Sequence, residues 1–162
     1  MRADSPVPRR NSTLIPEGPR SGLARVTLTD IEADENVEAR SGATVYVCVT
    51  CRKPDEPEDG PRPGLALAQA TAQAAEGTGV AVCRVECLAN CSRSLSAAMR
   101  CDGTWTYIFG GLEADRDAEA LIEGARLLAR AEDGVLPWRG RPDILKKGLI
   151  ARVPPRDFTE GD

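Results

Sequence analysis

The chain has 162 residues, a formal net charge of −4 and no histidine. This length predicts one compact domain plus an extension, because domains commonly hold roughly 100–150 residues. The acidic balance argues against binding of duplex nucleic acid, which needs a basic surface to neutralise phosphates. The lack of histidine excludes Ser–His–Asp and Cys–His catalysis, His-ligated zinc, Rieske-type clusters and haem on a proximal histidine.

No apolar stretch approaches the ~18–20 residues that a membrane span needs. The first 19 residues are polar and contain several prolines, unlike the apolar centre of a secretory signal. We therefore expect a cytoplasmic protein with no membrane contact. No paired acid and base stands out along the chain, so we do not expect an enzyme.

Three regions differ in composition. Residues 1–43 combine prolines with an acidic stretch between Asp30 and Glu38, and they show no apolar period. We predict that they form a disordered N-terminal extension. Residues 44–134 are expected to form the folded domain, and residues 135–162 a C-terminal tail that packs on it.

The domain opens with a strand, a helix and a second strand. Residues 44–50 are rich in β-branched and aromatic side chains, which predicts a buried strand. Residues 65–76 are rich in alanine and leucine and are followed by Gly77, which predicts a helix and its end. Residues 80–85 predict the second strand.

A hairpin and a helix follow. Asp102 and Gly103 separate two alternating runs, which predicts a two-residue β-hairpin connection. Residues 115–131 carry apolar side chains at helical spacing, with acids at the start and arginines near the end. The resulting order, β-α-β-β-β-α, predicts an α/β fold of the thioredoxin-like type with an irregular C-terminal tail.

Four of the six cysteines form two close pairs. Cys48 and Cys51 are separated by two residues at the end of the first strand, and Cys87 and Cys91 by three just after the second. Parallel neighbouring strands end at the same edge of a sheet, so the two pairs are expected to meet there. Four thiolates suit a soft metal centre, and we predict that these cysteines bind a [2Fe–2S] cluster.

The other two cysteines, Cys83 and Cys101, each lie on a predicted strand. Isolated cysteines usually behave as small buried hydrophobic side chains. We expect the same of these two.

Two other uses of the cysteines remain open. Four thiolates also bind zinc, in a metal-binding or delivery module. Alternatively, Cys48 and Cys51 form the redox-active pair of a thiol-disulfide oxidoreductase, beside the positive charges of Arg52 and Lys53. In such enzymes the pair normally opens a helix, whereas here a proline-rich loop follows.

Several motifs in sequence order resemble one family. They are residues 45–52, with Cys48 and Cys51, then 86–91, with Cys87 and Cys91, then 103–110, 134–142 and 147–155. The chain is similar over about residues 44–156 to bacterial proteins described as predicted metal-binding or (2Fe–2S) ferredoxin-domain proteins.

That resemblance implies a thioredoxin-like fold carrying a [2Fe–2S] cluster, and a carrier of single electrons that works with a redox protein partner. In thioredoxin-like ferredoxins the second cysteine pair has the spacing of Cys87 and Cys91, whereas the first pair is spaced more widely than Cys48 and Cys51. The family's association with cobalamin-synthesis genes suggests a role near cobalt or corrin handling.

The tail carries an isolated tryptophan and a local excess of positive charge. We expect Trp138, Ile144 and Leu149 to fold back onto the core, the alternative for Trp138 being contact with a partner. The basic side chains are expected to be solvated, the alternative being that they bind a phosphate or an acidic partner. They are Arg139, Arg141, Lys146 and Lys147.

Overall fold

The structure is a computed structural model that describes residues 42–54, 56–57 and 59–160. The predicted disordered extension spans residues 1–43, of which residues 1–41 lie outside the described residues. The strands are β1 (Thr44–Cys48), β2 (Ala81–Val85), β3 (Ala97–Arg100), β4 (Thr106–Phe109) and β5 (Leu149–Val153). The helices are α1 (Pro63–Ala74), α2 (Ala118–Ala129) and α3 (Asp143–Lys147), and one 3-10 turn spans Cys91–Arg93.

The five strands form one mixed sheet in the order β2-β1-β3-β4-β5. β1 and β2 are parallel, as the connection through α1 requires, and the other three neighbouring pairs are antiparallel. The predicted α/β thioredoxin-like order, β-α-β-β-β-α, is confirmed. None of the helices in the described ranges is long and apolar enough to cross a membrane.

The core lies between the helices and one face of the sheet. Alternation along β1 places Val45 and Val47 in this core, where both are fully buried. A Cβ atom on Gly124 of α2 would lie 3.1 Å from the Met99 side chain of β3, so this helix packs closely on the sheet. α1 contacts α2, which places α1 on the same face of the sheet as α2.

Cys101 is buried as predicted, but the prediction for Cys83 is wrong because its side chain is exposed. Cys83 pairs with Tyr46, whose side chain points to the opposite face of the sheet from Val45 and Val47. β2 is also an edge strand, so Cys83 has a neighbouring strand on one side only.

The connection between β3 and β4 is longer than the two-residue turn expected from Asp102 and Gly103. It spans residues 101–105, with Gly103 in the left-handed region at φ 68°. Both the amide and the hydroxyl of Thr104 donate to the carbonyl of Cys101, at 3.2 and 3.0 Å. These bonds close the turn before the hydrogen-bonded pairing of β3 with β4 begins.

The prediction of an irregular C-terminal tail is wrong, because the tail contains α3 and the edge strand β5. Leu136 and Leu145 are buried in the core, and Ile144 and Leu149 pack against it. Trp138, by contrast, is 66% exposed, so the expectation that it packs on the core is wrong. A helix of five residues carries too little periodicity to be recognised, and β5 is recruited by pairing with β4.

Candidate metal centre

The two cysteine loops leave the sheet side by side. Cys48, the last residue of β1, pairs with Val85, the last residue of β2. The amide of Cys48 donates to the carbonyl of Ser96 at 3.1 Å, and the amide of Val49 donates to Val85 at 2.9 Å. The backbone at Cys48 is therefore fixed by strands on both sides, at the edge where β1 and β2 end.

The first turn of α1 packs on the loop that joins Cys48 to Cys51. The amide of Gly64 donates to the carbonyl of Cys51 at 3.2 Å. A Cβ atom on Gly64 would lie 2.3 Å from the carbonyl oxygen of Cys48 and 3.0 Å from the amide of Cys51. Only glycine permits this approach, and it leaves Cys48 and Cys51 just 2% and 6% exposed.

The thiols of Cys48 and Cys51 influence each other's ionisation, and their acidities differ. Burial by itself raises the pKa of the Cys48 thiol, but hydrogen bonds from Cys51 and Thr50 and from the backbone of Leu88 outweigh burial, so that this pKa falls below its ordinary value. Burial, with the bond to Cys48 and its charge, raises the pKa of Cys51 to about 12. Negative charge on this pair therefore resides on Cys48.

The second loop is exposed and organised by local bonds. The amide of Ala89 donates to the sulfur of Cys87 at 3.2 Å, and Ala89 has a left-handed φ of 56°. Cys91 begins the 3-10 turn, and both Cys87 and Cys91 are exposed. The second pair is therefore held by its own turn, at the surface.

Hydrogen bonds join the two loops. The carbonyl of Glu86 accepts from the Cys48 thiol at 3.3 Å and from the Thr50 hydroxyl. Asn90, inside the second loop, donates its Nδ2 to the Ser96 hydroxyl at 2.9 Å. Ser96 is also hydrogen-bonded to the thiol of Cys51. The structure thus brings the loop of Cys87 and Cys91 against the buried pair.

The convergence stops short of a closed set of ligands. In the part of the chain that the structure describes, no three Cys, Asp or Glu side chains stand close enough to hold a metal ion. The donors nevertheless fit a thiolate centre, because Cys48 and Cys51 are buried in one short loop and the amide of Ala89 donates to the sulfur of Cys87. Soft thiolates select iron–sulfur clusters and zinc over hard cations.

Sequence reasoning missed the residues that join the loops. Asn90 lies within the C-x3-C motif and Ser96 lies shortly after it, but neither residue type signals a contact with the first pair, and Gly64 lies well beyond that pair in sequence. Sequence reasoning also found no helix next to the first pair. The structure brings the start of α1 back to Cys51 across the proline-rich loop.

The fold and these loops define a thioredoxin-like α/β protein with a two-loop cysteine site at one edge of its sheet. The chain belongs to the family described as "Protein of unknown function (DUF1636)", whose model matches residues 45–155. The matched range includes both cysteine loops, α3 and β5. No functionally curated protein matches the chain.

Two solved structures similar to this chain are both of a thioredoxin-like [2Fe–2S] ferredoxin from Aquifex aeolicus. The first is 18% identical, covers 73% of this chain and 99% of its own, and gives a TM-score of 0.46. The second, of the wild-type protein at 1.5 Å resolution, is 15% identical, covers 68% of this chain and 98% of its own, and gives a TM-score of 0.44.

Proposed function

We propose that Cys48, Cys51, Cys87 and Cys91 hold a [2Fe–2S] cluster and that the protein carries single electrons. The observation that supports this proposal is the contact between the two cysteine loops through Glu86, Ser96 and Asn90. Four thiolates from two adjacent loops are the ligand set that such a cluster uses. When bound, the cluster supplies a site that accepts and releases one electron.

The unequal burial of the two pairs suggests how such a centre works. Cys48 and Cys51 are buried, so they anchor the cluster to the core, whereas Cys87 and Cys91 are exposed and face the solvent. We therefore propose that a redox protein docks over the loop of Cys87 and Cys91. We place the protein in the cytoplasm, where thiols remain reduced and available as ligands.

The proposal is tested by purifying the full chain without air and counting iron, sulfide and zinc. We expect about two iron and two sulfide per chain, and an EPR signal after reduction. Cys87→Ser should lose the cluster, and Cys83→Ser, which changes an exposed cysteine on β2, should keep it. A colourless protein that takes up neither iron nor sulfide on anaerobic reconstitution contradicts the proposal.

The same measurement identifies the zinc alternative. One zinc per chain, without sulfide and lost on Cys87→Ser, indicates a metal-binding or delivery module that uses the same four thiolates. Retention of full iron and sulfide in both Cys87→Ser and Cys91→Ser contradicts the proposed ligand set.

A second candidate function, a thiol-disulfide oxidoreductase, is favoured by the burial of Cys48 and Cys51 in one short loop, where each thiol shifts the acidity of the other. Their oxidation forms one disulfide and releases two protons and two electrons to a disulfide substrate. It predicts that a Cys87→Ser, Cys91→Ser double variant still reduces an added disulfide. A Cys48→Ser variant should not, and loss of activity in the double variant contradicts this candidate.

A further inference from the structure

A groove of about 900 Å³ lies where the end of α2 and the segment 131–138 face the pair β4–β5. Its apolar lining includes Tyr107, Leu127, Leu136 and Leu149. Tyr107 and Leu136 are buried, and the Leu136 amide donates to the Tyr107 hydroxyl at 2.8 Å. The groove therefore has an apolar floor and a volume in the range of sites that bind small molecules.

Arg141 stands at this floor, and the expectation that its side chain is solvated is wrong because it is buried. Arg141 is 7% exposed, and its guanidinium donates from Nε to the carbonyl of Pro137 at 3.1 Å and from Nη2 to the carbonyl of Leu136. Burial lowers the pKa of Arg141. No carboxylate in the described ranges forms an ion pair with it. The two carbonyls thus hold a buried positive charge for which the described residues supply no ion pair.

Two more arginines line the same groove. Arg152 lies opposite Tyr107 in the β4–β5 pair, and its positive charge lowers the pKa of Arg141 further. Arg130, at the end of α2, is exposed. Two acids, Glu132 and Asp133, are exposed at the rim, where Asp133 accepts a hydrogen bond from the amide of Val135 at 2.9 Å. The guanidinium of Arg152 lies over the Trp105 ring, with Cζ 4.7 Å from the ring centroid, and it brings a second positive charge to the groove of Arg141.

An exposed indole stands beside Arg141 and Lys146. The Trp138 side chain is 66% exposed. Its ring centroid lies 5.4 Å from Cζ of Arg141 and 5.7 Å from Nζ of Lys146. A large aromatic surface left in solvent next to positive charge suits a ligand that combines a flat ring with an anionic group.

We propose that this groove binds a small organic anion, a carboxylate or phosphate carried on a flat apolar ring. Arg141 and Arg152 pair with the anionic group, because guanidinium groups bind carboxylate and phosphate through charge-assisted hydrogen bonds. Trp138 and the apolar floor cover the ring. No residue of the groove belongs to either cysteine loop, so this proposal stands apart from the cluster.

The test is a titration of the full chain, followed by NMR at the indole N–H of Trp138. The probes are phenyl phosphate and benzoate, with benzyl alcohol as the uncharged ring and inorganic phosphate as the anion without a ring. We expect at least one ring-bearing anion to bind with a Kd of about 1 mM or tighter. Its affinity should exceed that of benzyl alcohol and of inorganic phosphate by about fivefold or more.

Substitutions assign the binding to this groove. Arg152→Gln, at an exposed position, should weaken the better probe about fivefold or more. Arg84→Gln, which changes an exposed arginine of β2 outside the groove, should leave it unchanged. Arg141→Gln should weaken binding further, but it removes a buried side chain. If the Arg141→Gln protein fails to fold, Arg152→Gln decides the test.

Three outcomes overturn the proposal. The first is that neither phenyl phosphate nor benzoate shifts the Trp138 signal at about 20 mM, well above the expected Kd. The second is that benzyl alcohol or inorganic phosphate binds as tightly as the ring-bearing anions. The third is that Arg152→Gln and Arg84→Gln have the same affinity. Phenyl phosphate and benzoate together show whether a phosphate or a carboxylate is preferred.

Discussion

The two cysteine loops reach the same edge of the sheet in different ways. Cys48 and Cys51 are buried, continuous with the core, and held by the first turn of α1 through Gly64. Cys87 and Cys91 are exposed and organised by local bonds such as that from Ala89 to Cys87. The first pair is thus positioned by tertiary packing, and the second by its own turn and by Asn90.

Because one pair is buried and the other exposed, substitutions in the two pairs should affect different properties, namely stability and cofactor binding. Replacing a cysteine of the buried pair should destabilise the protein even without a cofactor, because it alters the core. Replacing one of the exposed pair should affect the cofactor alone. The following predictions test that distinction on the metal-free, reduced protein.

The largest effect is expected from Gly64→Ala. The added methyl group would lie 2.3 Å from the carbonyl oxygen of Cys48, which is backbone and cannot turn aside. We expect a loss of about 2–3 kcal/mol in the free energy of unfolding, measured in urea. Ala66→Ser, on an exposed face of the same helix, should change it by less than about 0.5 kcal/mol. Equal stability of the two variants would show that α1 does not pack on the loop.

The next effect compares the two pairs directly. Cys51→Ala removes a buried sulfur from the core and should lower the free energy of unfolding by about 1–2 kcal/mol. Cys91→Ala removes an exposed sulfur and should change it by less than about 0.5 kcal/mol. Urea unfolding followed by circular dichroism measures both. Similar losses in the two variants would contradict the division between a core pair and a surface pair.

A smaller effect is expected at the contact between the loops. Ser96→Ala removes the hydroxyl that accepts from Asn90 and bonds to Cys51. We expect a loss of about 1 kcal/mol and faster amide hydrogen exchange in residues 86–92. Ser92→Ala, at an exposed position in the same segment, serves as the control. Unchanged exchange in Ser96→Ala would mean that this bond does not hold the second loop.

The last prediction concerns the pH dependence of the free energy of unfolding, which should change least near neutral pH. Burial raises the pKa of Cys51 from 9.0 to about 12, so the folded chain holds this proton where the unfolded chain releases it. The free energy of unfolding should therefore fall between pH 9 and 12. The lowered pKa of Cys48 acts in the opposite sense, since its contribution is lost as pH falls below its ordinary value of 9.0.

Cys51→Ala provides the control for this slope, because it removes the Cys51 thiol and leaves the lysine and tyrosine titrations in place; it also removes an interaction that lowers the pKa of Cys48. The wild-type protein should lose more stability than Cys51→Ala over that interval, as measured by urea unfolding at each pH. Parallel curves for the two proteins would exclude Cys51 as the source.

The chain order of the first six elements was predictable, because each carries a local pattern of apolar spacing, turn residues or caps. The meeting of the two loops followed from one general rule, that parallel neighbouring strands end at the same edge. The exposure of Cys83 and Trp138 was not predictable. Residue type sets a preference for burial, whereas the face of the sheet and the path of the tail decide it.

The sequence by itself determined the donor chemistry of this protein: six thiols, no imidazole, and two cysteine pairs at the ends of two strands. Tertiary structure alone decided which pair is buried, that Gly64 and Ser96 support it, and that Arg141 lies buried beside Arg152 and Trp138. The physical reason is range. Spacing and propensity act over a few residues, whereas burial, close approach and the clustering of positive charge arise between segments far apart in the chain.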